Sequence, residues 1–358
     1  MNKKKTILSS AIALALTSSI AFADANIADV SQDGELNEAI ITQTNAGGST
    51  ASVSQLGDEN QSAVSQTNSS QPMHATVDTT GNNNTANITQ DDSWHATADI
   101  TQVGNNNEAT ISQTSIADNS IATIDQINGS ATNVASIGQT SFGNNALITQ
   151  DDVKFSSANI DQEATLSTAT ILQNGNNWYL QADIQQVSGS LHTATINQVN
   201  NGGGWSDHSM ATITQSGTAQ NATITQDSSY DSNATVNQSG NDHLATVFQG
   251  YGDYNSADVT QTGGENIANI TQSGSYNLAI TSQEATLNVA TVDQSGFYND
   301  ANILQTGVSS IATVTQSGLG VFDMMNVASI SQLGGVSDMA TITQSGLGGN
   351  VATIVQTP

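Results

Sequence analysis

The chain has 358 residues, with 4 Lys plus Arg against 31 Asp plus Glu, a formal net charge of −27 and no cysteine. That balance excludes nucleic acid as a partner, because binding it depends on neutralising phosphates with basic side chains, and the lack of cysteine excludes disulfides and thiolate metal sites. Aromatics at 4% and hydrophobics at 36% suggest, by composition alone, a disordered or low-complexity chain, a suggestion that an internal repeat overrules.

The chain opens with Lys3, Lys4 and Lys5, an apolar run over residues 7–16, and Ala21-Phe22-Ala23. A charged start, an apolar middle and an A-x-A site predict a secretory signal peptide over residues 1–23, cut after Ala23. The apolar run is shorter than the roughly 20 residues that span a bilayer, and no later segment could span, so no membrane span is expected. Cleavage would leave residues 24–358, with Lys154 as the one basic residue and a net charge of −30 (−27 less the three leader lysines).

From Asn26-x-Ala28-x-Val30-x-Gln32 onwards one phrase, Asn/Ser-x-Ala-x-Ile/Val-x-Gln, recurs twenty-eight times, the last copy ending at Gln356. Its key residues are two apart, so an extended chain turns them all to one face, and period two means strand rather than helix. The last position is Gln except at Thr79, the Ile/Val position departs only at Thr281, and the Ala position only at Ser62. Successive phrases lie 11 to 13 residues apart, with longer steps only from Gln198 to Gln215 and from Gln316 to Gln332. About four residues separate one Gln from the next Asn, enough for a tight reversal and too few for a helix. Strand plus turn, twice, gives a unit of about 23 residues that cannot bury its Ala/Ile face alone, so units must stack in register. The predicted fold is all-β: a two-sided β-solenoid of about 14 strand-turn-strand rungs, 28 short strands, which at ~4.8 Å per rung is roughly 67 Å long and able to stack further into cross-β fibres.

Each strand turns two apolar and two amide or hydroxyl side chains inward. A buried amide without partners costs about 1–3 kcal/mol, but Gln and Asn in register can bond to the same residue one rung above and below. A one-residue slip would expose every Gln and Ile, so the ladder also fixes register. Outward positions are mostly Thr, Ser, Asn and Asp; the acids, Asp99, Asp125, Asp258 and Asp293 among them, read as solvating residues or as charges that slow premature association. Gly follows Gln at a spacing of two, as at Gly57, Gly217, Gly274, Gly307, Gly318 and Gly346, where a tight turn calls for φ > 0. Trp94, Trp178, Trp205, Tyr230, Tyr254, Tyr276 and Tyr298 lie in the connections; packing along the solenoid edge is the favoured reading, with contact to sugars or surfaces as the other.

The spacing Gln-x4-Asn-x5-Gln resembles the curlin repeat, the unit of the curli subunits that build extracellular amyloid fibres in bacterial biofilms. It stands complete at Gln32, Asn37 and Gln43; at Gln55, Asn60 and Gln66; at Gln102, Asn107 and Gln113; and without a break through Gln261, Asn266, Gln272, Asn277, Gln283, Asn288, Gln294, Asn299 and Gln305. The resemblance covers residues 24–358 as a curlin-like repeat β-solenoid. It implies that these Gln and Asn columns form the structural ladder that drives fibre formation. The expected role is that of a secreted subunit in fibres on the bacterial cell surface, serving biofilm matrix, adhesion and cell aggregation. The implied partners are further copies of the chain, a nucleator subunit and an outer-membrane export pore. Familiar curli subunits carry a repeat-free segment after the leader and fewer repeats, whereas here the first phrase begins at Asn26.

An enzyme is not expected. The five histidines, His74, His95, His192, His208 and His243, are scattered, His192 and His243 merely occupy the Asn/Ser column, and no catalytic, metal or cofactor constellation is present. The alternative is a monomeric secreted β-solenoid acting as a sugar- or surface-binding adhesin, with ice binding through Thr212/Thr214, Thr223/Thr225, Thr313/Thr315 and Thr341/Thr343 as its weaker variant.

Overall fold

A computed structural model describes residues 25–200, 208–320 and 324–358, together with the backbone of residues 13–17. Among the described residues every regular element is a β-strand, and their strand pairings are parallel. Two compact units divide the chain, residues 1–166 and 167–358. Each is a stack of coils, and each coil gives one strand to a leading sheet and the next strand to a trailing sheet.

In the first unit the leading strands are Ile27–Asp33, Thr50–Leu56, His74–Thr80, Thr97–Asn105, Ile121–Ala131 and Asn145–Asp151, and the trailing strands run from Glu38–Ala46 to Ser157–Gln162. The second unit has eight coils, with leading strands from Thr168–Asn174 to Met339–Leu347 and trailing strands from Gln181–Ser190 to Val351–Gln356. Six coils and eight make the fourteen that the repeat predicts, and each phrase is one strand. Register is like on like: Ala268, Ile270 and Gln272 pair with Ala290, Val292 and Gln294. The Ala and Ile columns are the core of each unit, nearly all of it inaccessible to solvent.

A further strand, Ala13–Thr17, within the stretch expected to be a signal peptide, lies parallel beside Glu38–Ala46, with Leu16 opposite Gln43. An uncharged extended segment satisfies the edge N–H and C=O groups that Glu38–Ala46 would otherwise leave open. Ala23, the expected cleavage position, and Trp205 lie outside the described residues.

The turns differ from the glycine-based expectation in one respect. Gly57, Gly217, Gly274 and Gly346 have positive φ, but Gly307 and Gly318 do not. A second left-handed residue sits just before the Asn/Ser column and is often not glycine, for example Leu36, Glu59, Tyr276 and Tyr298. The reversal thus takes two left-handed steps, and the second is held by bonds between coils, such as Tyr276 N–H to the Asp253 carbonyl at 2.9 Å.

Candidate functional site

The final Gln of each phrase points inward and is almost fully buried, apart from the half-exposed Gln32 near the start of its stack and the terminal Gln356. In the second unit two amide ladders run through all eight coils. Along the leading sheet Nε2 of Gln173, Gln198, Gln226, Gln249, Gln272, Gln294 and Gln316 each donates to Oε1 of the next, ending on Gln344, at 2.8–3.0 Å. Along the trailing sheet the same bond links Gln186, Gln215, Gln238, Gln261, Gln283, Gln305, Gln332 and Gln356, also at 2.8–3.0 Å. In the first unit the trailing ladder joins Gln43, Gln66, Gln90, Gln113, Gln139 and Gln162 at 2.8–2.9 Å. All these bonds have one polarity, donor towards the later coil. Most of these Nε2 groups also tether the facing strand, as Gln272 does with the carbonyls of Ser256 at 2.9 Å and Asn277 at 3.1 Å.

The Asn column works differently. Oδ1 of Asn37 accepts the backbone N–H of Asn60 at 3.0 Å, Oδ1 of Asn84 that of Asn107 at 3.0 Å, Oδ1 of Asn266 that of Asn288 at 2.9 Å, and Oδ1 of Asn277 that of Asn299 at 3.1 Å. Its Nδ2 reaches the turn of the next coil, as from Asn37 to the Gly57 carbonyl at 2.7 Å. The Gln column therefore ties side chain to side chain, and the Asn column ties each turn to its successor.

The first unit's leading ladder is broken at Thr79. Gln32 donates to Gln55 at 2.6 Å and Gln102 to Gln126 at 2.9 Å, but Thr79 is too short to continue, and Gln102 Oε1 is buried without a partner. The Nε2 of Gln55 turns instead to the hydroxyl of Ser62 at 2.9 Å. The sole exception in the Ala column thus compensates the sole exception in the Gln column. Restoring the ladder with Thr79→Gln is expected to satisfy the orphaned Gln102 oxygen and to raise stability by about 1 kcal/mol, read as a higher urea midpoint. A lower midpoint would mean that no room for the amide exists there.

Two histidines replace amides in the Asn/Ser column of the second unit and are buried. Nε2–H of His192 donates to the Ser188 carbonyl at 2.9 Å while its Nδ1 accepts the Gln220 N–H at 3.4 Å; His243 bridges the Ser239 carbonyl at 3.1 Å and the Asn266 N–H at 3.3 Å in the same way. These partners select the neutral ring, and burial lowers the affinity of both for a proton. When a base is harder to protonate folded than unfolded, the unfolded chain binds more protons. Stability is then full above the ordinary imidazole value of 6.5 and falls as pH drops through it. Asp125, Asp258 and Asp300, held above the ordinary carboxylate value of 3.8 mainly by burial, act in the opposite sense nearer that value. Stability measured by denaturation is expected to decline from pH 7.5 to pH 5.5, and His243→Asn should flatten that decline. An unchanged slope in the variant would acquit the histidine.

Along one turn edge of the second unit Tyr179, His208, Tyr230, Tyr254, Tyr276 and Tyr298 form a continuous column. Ring centroids lie 4.8, 6.1, 5.7, 4.9 and 4.7 Å apart, and the last three rings are nearly parallel, at 14° and 7°. Tyr276 is covered on both faces and presents its edge to solvent. A sugar stacks on an open aromatic face, so this packing favours the edge-packing reading of the aromatics. His208 belongs to the column because it stands seven residues before Gln215, the interval that Tyr179, Tyr254, Tyr276 and Tyr298 keep from Gln186, Gln261, Gln283 and Gln305.

Two comparisons bear on this arrangement. The family profile of the Curlin associated repeat matches at residues 23–57, 96–127, 231–263 and 288–318, that is, in both units. No curated protein matches the chain.

Proposed function

The chain belongs to the curlin-repeat family, a structural and non-enzymatic family, and from that premise we propose that it is a secreted subunit that polymerises into extracellular amyloid fibres on the bacterial surface, serving biofilm matrix, adhesion and cell aggregation. The observation that carries this reading is the uniformity of the ladder. Within each unit the trailing Gln of one coil donates Nε2 to the Oε1 of the next without a break, so a coil from a second copy presents the same groups as the chain's own next coil. The strands Met339–Leu347 and Val351–Gln356 stand at one end of their sheets, with backbone groups free to pair onward. A contact that repeats without closing generates a filament. On the first trailing strand of the first unit Gln43 Oε1 is buried without a partner, the acceptor that an incoming Nε2 would fill.

Export by a signal peptide over residues 1–23, passage through an outer-membrane pore and help from a nucleator are parts of the same proposal and rest on the family resemblance. The leader strand beside Glu38–Ala46 occupies an edge that stacking needs, which is consistent with polymerisation after its removal. The test is to incubate the chain of residues 24–358 with and without preformed seeds, following dye binding and fibre diffraction. A lag abolished by seeds and a 4.7–4.8 Å meridional reflection are expected. A chain that stays monodisperse for days at high concentration would overturn the reading in favour of a monomeric binding module.

A further inference from the structure

The last five leading strands of the second unit carry a nearly uncharged outward face with one apolar row. Leu244, Ile267, Val289, Ile311 and Met339 stand in register on five successive strands, forming one aliphatic row. Leu244, Ile311 and Met339 are 37%, 40% and 70% exposed. Beside it runs a row of Thr246, Asn269, Thr291, Thr313 and Thr341, and then Phe248, Thr271, Asp293, Thr315 and Thr343. Asp293 is the one charged residue among these fifteen. On the trailing strands of the same coils the apolar residues are scattered and Asp258 and Asp300 interrupt them.

We propose that this face pairs with the same face of a second copy, so that two stacks lie side by side through a dry sheet-to-sheet contact. The inference rests on the proposed function, since it concerns how stacked chains associate sideways. The charge distribution selects the partner. A cationic protein would be drawn to the acids elsewhere, whereas another chain of residues 24–358, of net charge −30 (−27 less the three leader lysines), can approach closely only where carboxylates are few. Both copies also share one rung spacing, so an aliphatic row meets its counterpart at every rung, about 10 Å away across the interface. Five strands at ~4.8 Å by three outward residues bury roughly 400 Å² per copy, well under the ~800 Å² of a stable independent interface. Isolated chains are therefore expected to remain unpaired. Pairing follows stacking, because each added copy extends the same contact.

The experiment compares mass per length, by dark-field electron microscopy, of fibres of the wild-type chain, of the double variant Ile267→Glu with Ile311→Glu, and of a matched double variant on the trailing face, Leu278→Glu with Val327→Glu. A single stack amounts to roughly 0.5 kDa per Å at ~4.8 Å per coil. Twice that value is expected for the wild type and the trailing-face variant, and a twofold drop for the leading-face variant. Should the Glu variant fail to polymerise, Ile267→Thr with Ile311→Thr keeps the strand preference while removing apolar surface, and it too should shift fibres towards the single-stack value. Wild-type fibres of single-stack mass overturn the pairing, leave polymerisation standing and free the face for a different partner. A double-stack mass in the leading-face variants, or equal losses on both faces, also overturns it, and a wild-type chain that forms no fibre overturns both proposals.

Discussion

Replacing Gln272 and Gln294 together by Ala is expected to destabilise the second unit by several kcal/mol and to slow fibre elongation at least tenfold, while Thr271→Ala, on the outward side of the same strand, changes stability by less than ~0.5 kcal/mol. Gln272 Nε2 serves the Ser256 and Asn277 carbonyls and Gln294 Oε1, and its own oxygen accepts from Gln249. Gln294 Nε2 serves the Leu278 carbonyl and Gln316 Oε1. Truncation leaves these groups buried without partners, at about 1–3 kcal/mol for each site, and adds the loss of packing around two fully enclosed side chains. At the positions equivalent to Ser62, which takes the bond from Gln55, these coils carry Ala279 and Ala301, which offer no hydroxyl. The measurements are urea midpoints of the unassembled chain and seeded elongation rates. Equal effects from Thr271→Ala would show that the amides do not carry the stack.

Gly274→Ala should be still more damaging than its size suggests, and Gly346→Ala should separate the two causes. At Gly274 φ is +90° and an added Cβ would lie 2.1 Å from the carbonyl oxygen of Gly296 in the next coil, which as backbone cannot swing aside. Left-handed strain of about 1 kcal/mol and a collision worth ~1–3 kcal/mol then add. Gly346 has a similar φ, +108°, but nothing stands within 4 Å of its Cβ, because it lies on the last leading strand. In the unassembled chain Gly346→Ala is therefore expected to cost only the strain, a shift of a few degrees in Tm. Under the proposed stacking its methyl group would meet the first coil of the incoming copy as Gly274→Ala meets Gly296. Gly346→Ala should thus fold and yet elongate poorly from that end. A variant that elongates at the wild-type rate would show that copies do not add across the strand bearing Gly346.

Local sequence determined much of this molecule. Alternation at period two says which side chains share a face, and a fixed interval of 11 to 13 residues says how far the chain runs before it must reverse, so strands, coils, the Ala, Ile and Gln columns and the pairing of Gln272 with Gln294 were all legible from spacing. What spacing could not supply is any contact that depends on a departure from the repeat. Ser62 and Thr79 each read as a lapse until the coil brought Ser62 to the Nε2 that Thr79 cannot reach. Tyr230 stands eight residues before its Gln where the other rings of the column stand seven, so only the folded coil placed it between His208 and Tyr254. Left-handed residues such as Leu36 and Tyr276 lack a glycine signal because bonds to neighbouring coils, not intrinsic preference, hold them there. The repeat encodes what each coil does to an identical neighbour, while tertiary structure decides what happens where the neighbours differ, since only there does the bond depend on how a departure in one strand meets a departure in another.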